Sequence, residues 1–133
     1  MICIDTTVLI DEFRARGNLE APVNRALLAL GMETLILPAI TAGEFLDGAA
    51  MVSSRRYQDA LHVIRRRRVA DLNIETAQHY GQIVSHLRRQ KLLSGRSPND
   101  LWIAATARSH GARILTRNPD DFAEIPGLEV LGY

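Results

Sequence analysis

Cysteine occurs once in this 133-residue chain, at Cys3. That excludes an intramolecular disulfide and a cysteine-built zinc cluster, and a lone thiol suits a reducing compartment. Lysine is also single, at Lys91, so 15 of the 16 cations are arginine. The four histidines, His62, His79, His86 and His110, have no metal-ligand spacing, which argues further against zinc. No apolar run approaches the roughly 18 residues of a membrane span. Met1-Ile2-Cys3-Ile4-Asp5 carries neither a basic stretch nor a long apolar one, so no signal peptide is expected and the expected compartment is the cytoplasm. The glycines build no phosphate-binding loop, which disfavours a nucleotide-binding Rossmann domain.

What is present is an ordinary globular balance, 47% hydrophobic and 23% charged, at a length that suits one domain over residues 1–133. The near-neutral net charge of +1 hides a division. Residues 52–99 hold ten basic groups against three acids, while the flanking segments together hold six against twelve. An acidic centre beside a basic surface suits metal-dependent chemistry on a polyphosphate, and a helical hairpin with a solvated basic face is the competing reading. Short apolar runs at Ile2–Ile4, Leu35–Pro38, Val69–Leu72, Arg113–Thr116 and Leu128–Leu131 alternate with helical patterns over 7–14, 20–31, 41–50, 55–67, 75–93 and 98–110. Strands too apolar to expose a face, separated by helices, indicate a parallel sheet covered on both sides. The expected fold is a three-layer α/β/α domain around a central parallel sheet of four to five strands.

In such a sheet ligands bind beyond the carboxyl ends of the strands. Asp5 follows the first strand, Glu44 the second, Asp100 opens the helix at Pro98, and Asp120 and Asp121 follow Thr116. Acids distant in sequence thus fall on one edge, where hard divalent cations such as Mg²⁺ find oxygen ligands. Helix capping competes with that reading. Thr41 and Glu44, Ser97 and Asp100, and Asn118 with Asp121 each form an N-terminal capping pattern, with Ile40 and Phe45 placed as a hydrophobic staple at the first of them. Capping does not account for Asp5, which ends a buried strand and needs hydrogen bonds or a metal to offset its desolvation.

Four segments, Ile4–Ile10, Pro38–Phe45, Asn99–Ala107 and Leu115–Phe122, resemble in order and spacing the motifs of PIN domains. They look most like those of VapC toxins from VapBC toxin–antitoxin pairs, and the likeness runs from Ile2 to about Val130. The resemblance implies a PIN-like fold and Mg²⁺- or Mn²⁺-dependent endoribonuclease activity. It also implies metal-site roles for Asp5, Glu44 and Asp100. Many members have Asp directly after Thr-Arg, where this chain has Asn118, so the fourth position falls to Asp121, or to Asn118 holding a metal-bound water. Thr7 stands where the family commonly has Asn, which leaves open the hydrogen bond that residue makes near the site. Thr6 and Thr116 would orient the carboxylates through their hydroxyls. Arg96, Arg117 and Arg66, within the Arg65–Arg68 run, are candidates for holding RNA backbone.

The implied partners are an RNA substrate, a cognate VapB-type antitoxin and a second copy in a homodimer. The antitoxin's C-terminal segment would lie in a groove near the acids, with Phe13, Phe45 and Leu46 as candidate lining. Two other functions compete. A phosphoacceptor domain would need a well-placed lysine or, in a dehalogenase-type phosphatase, an Asp at position 7, and neither is present. A catalytically inactive PIN module that binds RNA or a protein remains open through Asn118. Trp102 and Cys3 read as packing residues.

Overall fold

The computed structural model describes residues 1–133. Five strands, β1 (Ile2–Ile4), β2 (Leu35–Pro38), β3 (Val69–Ala70), β4 (Arg113–Thr116) and β5 (Val130–Gly132), form one sheet in the order β3-β2-β1-β4-β5. Every neighbouring pair is parallel, with Cys3 opposite Ile36 on one side and Ile114 on the other. The helices are α1 (Thr6–Arg14), α2 (Pro22–Ala29), α3 (Ala39–Ala50), α4 (Ser54–Arg65), α5 (Ile74–Arg89) and α6 (Pro98–Ser109), with a 3-10 turn over Pro119–Phe122.

Strand periodicity explains why the short runs are apolar throughout. Successive side chains point to opposite faces, and here both faces are cores. Ile2, Ile4, Leu37 and Leu115 join Val8, Leu9, Phe45, Ala60 and Ile64 beneath α1 to α4. Cys3, Ile36 and Ile114 join Ile83, Leu87, Ile103 and Ala104 beneath α5 and α6. Chain order reverses at β1: β2 and β3 extend the sheet one way, and after α5 and α6 the chain returns to add β4 and β5 on the other side. The crevice beyond the carboxyl ends of β1 and β4 is therefore the topological switch point. No helix is long and apolar enough to cross a membrane.

Local differences from the sequence reading have identifiable causes. The helix expected from Thr41 begins at Ala39, directly after β2, because the Thr41 hydroxyl turns inward and donates to the Ile4 carbonyl at 3.4 Å instead of capping. Glu44 is then the sixth residue of α3 and plays no part in a capping box. Ile40 and Phe45 pack into different cores, so they do not form the staple. The helix expected to reach residue 93 stops at Arg89, where Leu92 N bonds back to Leu87 O at 2.8 Å and turns Leu92 and Leu93 onto the core. Strand β3 is two residues rather than four, and the last strand starts two residues later and ends one residue later than expected.

Candidate active site

Asp5 sits where β1 stops and α1 starts, 5% exposed, and its side chain is the N-cap of α1. Oδ1 accepts from Thr6 N at 2.7 Å, and Oδ2 accepts from the hydroxyls of Thr7 at 2.7 Å and Thr116 at 2.8 Å. These donors offset the cost of burying the carboxylate. The capping function that the sequence pattern assigned to Thr41, Ser97 and Asn118 is thus found at Asp5: none of those three makes a side-chain cap hydrogen bond. Thr7 also accepts from the Arg117 backbone N–H at 3.2 Å, so this threonine ties β1 and β4 together at the switch point.

Glu44 reaches the same edge from α3. Its Oε2 accepts from the Thr6 hydroxyl in a short hydrogen bond, and Oε1 accepts from Asn99 Nδ2 at 2.8 Å. Asn99 is a residue that sequence reasoning missed. Nothing in the motif distinguishes it from a helix-start residue, because its partner is 55 positions away. Asp100, in the first turn of α6, is pushed up to about 6, first by burial and then by the charges of Asp5, Asp121 and Glu44. Three acids from three other segments therefore lie near enough to act on Asp100 electrostatically. Asn118 heads the 3-10 turn that carries Asp121, and its backbone N–H donates to the Thr116 hydroxyl at 3.0 Å.

The donor set suits a hard cation. No three acids stand ready as a complete ligand group, and Asp5 and Glu44 are each held by hydroxyl or amide donors. A Mg²⁺ ion, however, usually takes only one or two carboxylates and keeps several waters. Asp100, partly desolvated and surrounded by like charge, is the carboxylate that a cation would relieve most.

The PIN domain family model matches residues 2–128, almost the full chain. Ribonuclease VapC11 of Mycobacterium tuberculosis is 34% identical over 140 aligned positions, which cover 100% of this chain and 99% of that protein. The chain belongs to the PIN-domain family, among the VapC proteins. Ribonuclease VapC1 of Haemophilus influenzae is 30% identical over 130 positions, covering 95% of this chain and 92% of that one. Among solved structures, VapBC-1 from nontypeable Haemophilus influenzae superposes with a TM-score of 0.77 at 29% identity, covering 99% of this chain and 98% of that one. VapBC2 from Rickettsia felis, bound to a promoter DNA fragment, has a TM-score of 0.82 at 24% identity and supports the fold, with 100% and 99% covered.

Within this PIN domain the three arginines singled out from sequence have different situations. Arg96 is 13% exposed, and its nitrogens donate to Leu92 O at 2.8 Å, Asp121 O at 3.2 Å and Ala123 O at 2.8 Å. It is a strut that fixes the Asp121 turn, not a free cation. Arg66 caps the C-terminal end of α4, on the loop that enters β3 at the amino edge of the sheet, away from the acids. Its neighbour Arg67 bonds Glu12 at 2.6 Å near the far end of α1. Neither Arg96 nor Arg66 is brought to the cluster as a free guanidinium. Arg117 is 46% exposed and adjoins the cluster through Thr116. Trp102 stacks on Tyr80 with ring centroids 3.8 Å apart, and burial pushes the Cys3 thiol far up, so both are packing residues.

Beside Glu44 an apolar cavity of about 180 Å³ opens between α1, α3 and α4. Ile10, Phe13, Phe45, Ala49 and Val52 line it, with Arg14 and Arg56 at the rim. Phe13 and Phe45 meet edge to face at 5.6 Å. Of the candidate groove residues, Phe13 and Phe45 line the cavity and Leu46 does not.

Proposed function

We propose that this chain is a Mg²⁺- or Mn²⁺-dependent endoribonuclease, the toxin of a type II toxin–antitoxin pair, acting on RNA phosphodiesters in the cytoplasm. The observation that supports the reading is the Asp100 carboxyl at the sheet's switch point, pushed up to about 6 first by burial and then by the charges of Asp5, Asp121 and Glu44. The names of the VapC relatives support it. When bound, a divalent cation supplies the positive charge that lets these carboxylates ionise together and polarises a phosphodiester and a water.

The chain's own residues prepare the site. Thr7 and Thr116 hold Asp5 Oδ2, and Thr6 and Asn99 hold Glu44, so neither carboxylate rotates away when a polyanion approaches. Arg96 fixes the turn carrying Asp121 through its carbonyl. Asp5, Glu44, Asp100 and Asp121 are the metal-site acids in this reading, with Asn118 at the head of the last one's turn. Asp121 among the acids acting on Asp100 weakens the ground for a binding-only module.

A cognate VapB-type antitoxin fits the same surface. An apolar segment laid in the Phe13–Phe45 cavity would run toward Glu44, where a basic side chain would meet the acids. A homodimer belongs to the same reading, and light scattering of the isolated chain reads its mass. The test of function is incubation of the antitoxin-free chain with total cellular RNA and Mg²⁺ or Mn²⁺, followed by sequencing of new 5′ ends. Discrete cuts lost in EDTA and in Asp100→Asn are expected. Cuts that persist in either control would overturn the metal-dependent reading, and the absence of cuts would restore the binding-only module.

A further inference from the structure

One arginine is bonded into the acid cluster at its backbone and leaves most of its guanidinium free. Arg117 follows Thr116, whose hydroxyl holds Asp5, and its own N–H donates to Thr7, which holds Asp5 as well. The side chain runs back along α1, where Nη1 donates to Asp11 Oδ1 at 2.7 Å and Oδ2 at 2.9 Å. Tyr133 donates its hydroxyl to the same Oδ2 at 3.0 Å. Asp11 is only 18% exposed while Arg117 is 46% exposed, so the anchor is inside and the guanidinium is at the surface. Burial and the Asp11 carboxylate push the Tyr133 phenol well up, which keeps its proton on the hydrogen bond.

A guanidinium carries five N–H donors in a rigid plane. The Asp11 contact uses Nη1 alone, leaving the three donors on Nε and Nη2 for another oxygen-rich group. Arg67 also bonds through one nitrogen, but to Glu12 near the far end of α1. The other internally paired arginines differ. Arg96 and Arg108 bond through all three nitrogens, and Arg113 bridges Glu33 and Glu129 at the opposite end of the strands. Asp11 lies six residues beyond Asp5, about 9 Å along the helix axis at 1.5 Å per residue. That separation suits a nucleotide flanking the scissile bond rather than the scissile phosphate itself.

We infer that Asp11 and Tyr133 are positioning residues that hold the Arg117 guanidinium as a fixed fork for an RNA phosphate beside the acid cluster. The inference rests on the nuclease reading and adds to it a substrate contact and its two supports. A fixed planar fork binds phosphate through paired N–H donors, which a mobile lysine does not reproduce.

Charge makes the test decisive. Asp11→Asn removes a negative charge beside the RNA path, so a purely electrostatic surface would bind RNA more tightly. A positioned fork would bind it more weakly. The probe is a fluorescein-labelled, 15-nucleotide single-stranded RNA of mixed sequence, titrated in EDTA with the full chain, and followed by steady-state cleavage in Mg²⁺. Arg117→Ala is expected to weaken binding about tenfold and to lower the salt slope by about 0.7, the loss of one phosphate contact on a single strand. Asp11→Asn and Tyr133→Phe are expected to weaken binding several-fold with the salt slope also reduced. All three are expected to raise KM and leave kcat near wild type, a split that general loss of structure would not give. Tyr133→Phe removes one hydroxyl only and guards against misfolding of the Asp11 variant. Equal or tighter binding by Asp11→Asn, or an unchanged slope in Arg117→Ala, would overturn the inference while wild-type cleavage left the nuclease reading standing. A wild type that neither binds nor cuts RNA would remove both.

Discussion

Asp100 shows how a single residue carries the tension of the site. Its carboxyl is pushed up from the ordinary 3.8 to about 6 by burial and by three neighbouring acids. The folded chain therefore holds this proton more firmly than the unfolded chain does between those two values. In linkage terms the fold is favoured below pH 3.8 by this group, and that advantage is lost as pH rises through about 6. Asp100→Asn removes the ionisation. In metal-free buffer its Tm is expected to exceed wild type at pH 7 and to converge with it as pH falls to 4, while cleavage is abolished at every pH. Calorimetric melts across that range check the sign, and a variant less stable than wild type at pH 7 would contradict it. Thr7 makes the complementary point. It stands where the family commonly has Asn, yet its hydroxyl reaches Asp5 at 2.7 Å, so a shorter side chain still supplies a hydrogen bond beside the site.

At the scale of elements, two of the acids are placed by segments that directly follow strands and two by helices, Glu44 on α3 and Asp100 in the first turn of α6. Asp5 stands between β1 and α1, and Asp121 lies in the turn after β4. Glu44 is a turn and a half into α3, because that helix starts at Ala39 with Thr41 facing inward to Ile4. The Asp121 turn is the one site segment without a long helix behind it, and Arg96 compensates with bonds to the carbonyls of Leu92, Asp121 and Ala123. Arg96→Ala is expected to lose about 1.5–3 kcal/mol in urea unfolding, the range for hydrogen bonds from a charged donor. It is also expected to lower kcat while leaving RNA affinity and its salt slope unchanged, because none of its nitrogens is free for phosphate. A fall in salt slope like that of Arg117→Ala would instead show that Arg96 reaches RNA.

Over the whole molecule, acids gather at the carboxyl edge of the sheet while the Arg65–Arg68 run lies at its amino edge. The apolar cavity opens beside the acids, so one surface offers both a charged site and a place for an apolar segment. Gly48 lies on α3 in that cavity, and a Cβ there would meet nothing within 4 Å. Gly48→Leu should therefore stabilise the helix by about 0.5–1 kcal/mol and fill the cavity. Cleavage is expected to persist while inhibition by a co-expressed antitoxin is lost. Titration of the variant with that antitoxin checks it, and full inhibition would place the partner elsewhere.

Sequence by itself determined the three-layer architecture and the edge on which the acids lie. Short strands apolar on both faces admit a buried parallel sheet and little else, and such a sheet gathers its post-strand residues at one end. It also marked Asp5, Glu44 and Asp100, because their motifs are local. Tertiary structure alone decided what holds each of them. Asn99 on Glu44, Thr116 on Asp5 and Asp11 on Arg117 are contacts between residues 55, 111 and 106 positions apart. The same holds for the division of the arginines into strut, surface charge and anchored fork. A guanidinium has the same sequence signature whether carbonyls or solvent surround it, and only packing fixes which.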